Sequence, residues 1–189
     1  DRGVPTRYGF TATTPTVVDR PDGTRGPWQL GFDRFVVRKE LTQLRNAAYI
    51  FVATMSMMRD SEVQGIAADS VRHSYGAPAV ESTLHKGQSA KGIRQRWWIS
   101  PPVVHALEVA ERITRDPSRL FGSMYGGTRR QLTGFDQYEQ IRSFVAWVNA
   151  TAAQTGLTPI PKTPLAPHMF RRTMAVITAN EPDGEIALG

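Results

Sequence analysis

The chain has 189 residues, 23 basic and 17 acidic, giving a formal net charge of +6, and it has no cysteine; that excludes a disulfide scaffold, a thiolate metal site and a cysteine nucleophile. Its length suits one domain with its own core, and 19 of the basic residues are arginine, the side chain best shaped for bidentate phosphate contacts, so a polyanionic partner is favoured. The longest apolar run, Ala47 to Met58, is too short to span a bilayer and no apolar leader follows Asp1, so the expected setting is the cytoplasm, with no membrane partner.

Residues 1–33 read as an irregular segment or linker, interrupted by Pro5, Pro15, Pro21 and Pro27, with a turn signal at Asp22-Gly23. From Asp33, Leu41, Leu44, Ala48, Phe51, Met55 and Met58 recur at three- and four-residue steps and predict a helix with that stripe inward. Ile50 and Val52 add apolar residues on its other faces, which predicts a central helix buried on most sides. Polar residues from Arg59 predict a break near Met57 to Asp60 and a short second helix after it. Residues 66–100 predict short strands, with Ala79 to Leu84 and Ile93 to Ser100 as an antiparallel hairpin closed by the loop Gly87 to Gly92. Pro101-Pro102 is expected to end the hairpin, and Val103 to Thr114 predicts an amphipathic helix with Val103, Leu107, Ala110 and Ile113 inward. Residues 116–134 read as a glycine-rich loop. Phe135 to about Thr155 predicts a helix with Ile141, Phe144, Val145 and Val148 inward. Pro159, Pro161, Pro164 and Pro167 make a stiff link to a last helix, from Pro167-His168 to about Asn180. The fold class is α+β, mostly α, with a small three-stranded antiparallel sheet packed on helices.

The usual signatures of cofactor and metal chemistry are missing. The sequence has no glycine-rich phosphate loop ending in lysine, no dinucleotide fingerprint, and four scattered histidines without metal-ligand spacing. Neither a metal nor another cofactor is expected. One constellation remains. Arg59 and Glu62 stand three apart at a helix break, Lys86 stands at a strand end in a hairpin, and His168 and Arg171 stand three apart at a helix start. Each has an ordinary reading beside the chemical one: a same-face ion pair, a solvated hairpin lysine, a first-turn histidine.

The chemical reading is that two guanidinium groups can clamp the two non-bridging oxygens of a phosphodiester under attack. His168 and Arg171 share one helix face, and the helix start adds backbone N–H groups and a positive dipole end. An imidazole can exchange a proton with a nucleophile, a lysine on a hairpin can protonate a departing oxygen, and Glu62 is suited to orienting an arginine or His168. Arg94 and Arg96 alternate on one strand and face one way. With Arg129, Arg130 and Arg172 they are candidate DNA-backbone contacts, a solvated face being the alternative. Of Trp97 and Trp98, one is expected in the core and the other exposed or facing DNA.

In order and context these residues resemble the catalytic domain of the tyrosine recombinase (phage integrase) family. The matching pieces are Ala48 to Ile66, Val80 to Pro101 and Ala166 to Gly189, a frame that covers most of the chain from about Asp33, so that residues 34–189 correspond to that domain. The resemblance puts Arg59 at the first catalytic arginine, Lys86 at the hairpin lysine, and His168-Met169-Phe170-Arg171 at the family's His-x-x-Arg motif. It implies a site-specific recombinase that breaks and rejoins double-stranded DNA through a 3′-phosphotyrosyl intermediate, acting as a homo-tetramer on DNA without metal or ATP.

The chain departs from the family pattern at the nucleophile. Tyr8, Tyr49, Tyr75, Tyr125 and Tyr138 all precede His168, whereas the family's tyrosine follows the motif. The expectation is therefore a domain incomplete at its C-terminus, with the nucleophile after Gly189 and the fragment inactive in cleavage by itself. A non-catalytic DNA-binding protein that kept the frame is the alternative, and a helical interaction module with incidental charge is a further rival.

Overall fold

A computed structural model describes residues 17–20, 22–27, 33–84, 92–122, 124 and 135–182. The irregular reading of 1–33 is corrected in part. Strands β1 (Val17–Asp19) and β2 (Arg25–Pro27) pair antiparallel, Val18 opposite Gly26. Asp22 closes their turn by accepting from the backbone N–H and the hydroxyl of Thr24, at 2.9 and 2.7 Å. Gly23 supplies the left-handed backbone there, at φ +78°.

Helix α1 (Arg34–Met55) starts at Asp33, whose carboxylate accepts from the N–H groups of Phe35 and Val36. The helix is central, but its inward face is not the one expected. Ala48, Tyr49, Val52 and Ala53 are buried, together with Gln43, Arg45 and Asn46, while Leu44, Phe51 and Met55 are exposed. The polar residues go inward because each finds a partner. Arg45 donates to the Gly122 carbonyl and to Gln140, Asn46 donates to the Gln140 carbonyl, and Gln43 donates to Ser143. Leu41 and Leu44 instead border an open apolar groove of about 420 Å³ with Val37, Ala47, Phe144 and Trp147.

The chain breaks after Met55 as expected, and α2 (Asp60–Gln64) follows. Strands β3 (Val71–Ser74), β4 (Ala77–Leu84) and β5 (Ile93–Trp98) form an antiparallel meander, Val71 opposite Val80 and Val80 opposite Trp97. Val80 and Ser82 face inward and are buried. Trp97 packs on the core and Trp98 is exposed, as alternation requires. Close approach of α2 to β4 depends on Gly65, where a Cβ would stand 2.9 Å from the Ser82 hydroxyl.

Helix α3 (Pro101–Ile113) contains the two prolines that were expected to precede it, in its first turn, where a missing N–H costs nothing. It buries Val103, Leu107 and Ala110 against α1. The stretch after it is a plug as well as a connection: Leu120, Phe121 and Met124 are buried, and the Phe121 ring meets Tyr49 edge-on at 5.6 Å. Helix α4 (Gln137–Thr155) is capped by Asp136 and ends at Gly156 in the left-handed conformation, with Ile141 and Val148 inward. Helix α5 (Pro167–Ala179) closes the described chain and packs on α1. The fold is thus mixed α+β with a small antiparallel sheet. Among the described residues no helix is long and apolar enough to cross a membrane.

Candidate functional site

The junction between α1 and α2 is built residue by residue. The Ser56 hydroxyl donates to the Val52 carbonyl and accepts from the Met58 N–H, which ends α1. Met57 takes a left-handed backbone, φ +53°, a cost of about 1 kcal/mol for a residue with a Cβ, and so turns the chain into α2. Arg59 is the residue from which α2 starts. The Glu62 carboxylate reaches back to it twice, accepting from the Arg59 backbone N–H at 2.6 Å and from its guanidinium at 2.8 Å. Glu62 is 1 % exposed, whereas the Arg59 side chain is 41 % exposed. One end of the pair is therefore locked in the core and the other is presented to solvent. The Glu62 carbonyl in turn accepts from Ser82 of β4, tying α2 to the sheet.

Helix α5 brings the second half. Pro167 is buried in its first turn and Ala166 gives no side-chain cap, so the first N–H groups and the positive dipole end stay without a side-chain acceptor. His168, Arg171, Arg172 and Ala175 follow at helical spacing on one face, and all three polar side chains are exposed.

These two halves face each other. Met58, Arg59 and Asp60 from the α1–α2 junction and Pro167, His168, Arg171, Arg172 and Ala175 from α5 line one cleft of about 350 Å³. Arg59, His168 and Arg171, chosen from the sequence, thus border one space, and Arg172 joins them. Among the described residues that line it, three guanidinium groups stand beside one carboxylate, Asp60, while Glu62 pairs with Arg59 from the core.

Asp60 was not singled out from the sequence. Its carboxylate accepts from the Tyr49 hydroxyl and, at 2.7 Å, from Gln64, which also donates to Gln137. The only local signal was its i, i+4 relation to Gln64. Tyr49 is wholly buried, and burial, followed by the hydrogen bond and charge of Asp60, pushes its phenol far above the usual value. It is a fixed neutral donor that holds Asp60, not a nucleophile.

Lys86, Arg129 and Arg130 lie outside the described residues, as do Lys91, Tyr8 and Tyr125. Strand β4 ends at Leu84, two residues before Lys86 in sequence. Of the described tyrosines, Tyr49, Tyr75 and Tyr138, none lines the cleft. Arg94 and Arg96 are on β5, on the outer face of the sheet, and both pair with Glu81. Among the described residues, no group of three His, Cys, Asp or Glu is placed to hold a metal ion. No family model matches this chain, and no curated protein matches it either.

Proposed function

We propose that this chain is the catalytic part of a site-specific DNA recombinase of the tyrosine type, with that family's fold, and that the cleft between the α1–α2 junction and α5 takes the scissile phosphate. The observation that carries the reading is that Arg59 and the His168–Arg171 pair, far apart in sequence, border one cleft. Two guanidinium forks match the non-bridging oxygens and the charge that builds on them in the transition state. The open N-terminus of α5 adds to that field. His168 exchanges the proton of the attacking or departing oxygen, and Glu62 fixes the direction of Arg59. By the resemblance, Lys86 protonates the 5′-oxygen, the attacking group is a tyrosine, and the working form is a tetramer on duplex DNA.

The rejoining half of such a reaction requires no enzyme tyrosine, so the chain itself can be tested. A 5′-hydroxyl attacks a 3′-phosphoaryl diester: the P–O5′ bond forms, the P–O(aryl) bond breaks, and the hydroxyl proton passes to His168 and on to solvent. The substrate is a pool of nicked duplexes, randomised around the nick, with a 3′-(4-nitrophenyl) phosphate beside a 5′-hydroxyl. Joined strand and released nitrophenolate are expected with the wild type and not with Arg59→Ala or Arg171→Ala. Joining by the wild type no faster than by those variants would overturn the reading.

A further inference from the structure

The outer face of the sheet, turned away from α2, carries a second cluster of cations. Arg72 on β3 and Arg94 and Arg96 on β5 surround one carboxylate, Glu81 on β4, at 3.8, 3.4 and 2.8 Å. The pairing explains the grouping. Glu81 lies opposite Arg96 and Thr83 opposite Arg94, so these side chains share a face, while Val80 and Ser82 point into the core. Arg72 also pairs with Asp69, at 3.8 Å, so three positive charges meet two negative charges and the cluster keeps a surplus of one. The Arg96 hydrogen bond first, then the charges of Arg96, Arg72 and Arg94, hold the Glu81 carboxyl below its ordinary value, so it stays ionised near neutrality.

Glu81 organises the arginines without covering them. Their side chains are 40, 74 and 54 % exposed, whereas that of Glu81 is 17 % exposed. Arg94 and Arg96 are two residues apart on one strand, so their side chains leave the same face, and their guanidinium groups converge on Glu81. Trp98 continues the same face, 57 % exposed beside the wholly buried Ala79. Clustered, solvent-reaching guanidinium forks next to an exposed ring suit a sugar–phosphate backbone, which is polyanionic with apolar sugar edges.

We infer that the outer sheet face, through Arg72, Arg94 and Arg96, is a second DNA-backbone contact, separate from the cleft. It lies across the sheet from α2, the helix that begins at Arg59, so it engages DNA away from the reacting phosphate. It supplies affinity and orientation, not chemistry. The inference rests on the proposed function only in taking duplex DNA as the partner.

The test is the salt dependence of duplex binding by the intact chain, followed by fluorescence anisotropy. Each lost phosphate contact lowers the slope of log K against log salt by about 1. The double variant Arg94→Gln/Arg96→Gln is expected to lower it by about 2, with an unchanged melting temperature. Arg112→Gln/Lys162→Gln, which removes two exposed cations elsewhere, is expected to leave it unchanged. An unaltered slope in the first pair, or an equal loss in the second, overturns the inference while leaving the strand-joining assay to judge the cleft. A slope loss confined to the first pair, in a protein that joins no strands, upholds the sheet contact and sinks the recombinase reading. No duplex binding by the wild type at low salt sinks both.

Discussion

Glu62 and Glu81 both hold arginines, and they do so in opposite ways. Glu62 is sealed in the core and grips one guanidinium and its backbone, fixing Arg59 at the rim of the cleft. Glu81 sits on the sheet among three guanidinium groups, each of them reaching water. In the first setting the pair cannot separate without leaving a charge buried. In the second, water and salt can replace any one partner. A rigid arginine suits a transition state, where a displacement of an ångström matters. Loosely held arginines suit a long polyanion, where many weak contacts add.

The predictions sharpen that contrast, beginning with the largest effect. Arg171→Ala is expected to lower strand joining on the order of 10²–10³-fold while weakening duplex binding far less. Joining and binding lost in equal measure would make the cleft a binding site only. Next, Glu62→Ala is expected to lower unfolding stability by about 2–3 kcal/mol, read from urea melts. Glu81→Ala is expected to lower the urea midpoint far less than Glu62→Ala, and equal losses would erase the contrast between the two carboxylates. Gly65→Ala forces a Cβ onto Ser82 and is expected to cost about 1–3 kcal/mol, with slowed joining because α2 shifts.

Two smaller effects depend on pH. The Tyr49 phenol is raised in the folded state, so its contribution is complete below the unfolded value, about 10, and is lost as pH rises above it. Tyr49→Phe is expected to cost about 1–2 kcal/mol at neutrality and to show a shallower alkaline loss than the wild type. The Glu81 carboxyl is lowered, so its contribution is present above the unfolded value and is lost as pH falls through the folded one. The small advantage of wild type over Glu81→Gln in melting temperature is expected at neutral pH and to vanish in acid.

The elements with one covered face were readable from periodicity. Leu107 and Ala110 of α3, and Ile141 and Val148 of α4, point where their spacing requires. The same rule misled at α1, because its apolar stripe at Leu44, Phe51 and Met55 is exposed while Gln43, Arg45 and Asn46 are buried. Periodicity counts apolar atoms; it cannot count hydrogen-bond partners such as the Gln140 carbonyl, which arrive from distant helices. The β1–β2 hairpin was missed because its strands have three residues each, too few for alternation to register.

At the cleft, local order alone determined that Arg59 pairs with Glu62 and that His168 shares a face with Arg171, since i, i+3 contacts follow from helix geometry. The sequence also determined where α1 breaks and that three short strands follow. Only the tertiary structure decided that α5 folds back so that Arg171 and Arg172 border the same space as Arg59, that Asp60 lines it with Tyr49 holding its carboxylate, and that Arg72 joins Arg94 and Arg96 around Glu81. Such meetings depend on which faces bury one another across long stretches of chain, and no spacing within one element encodes them.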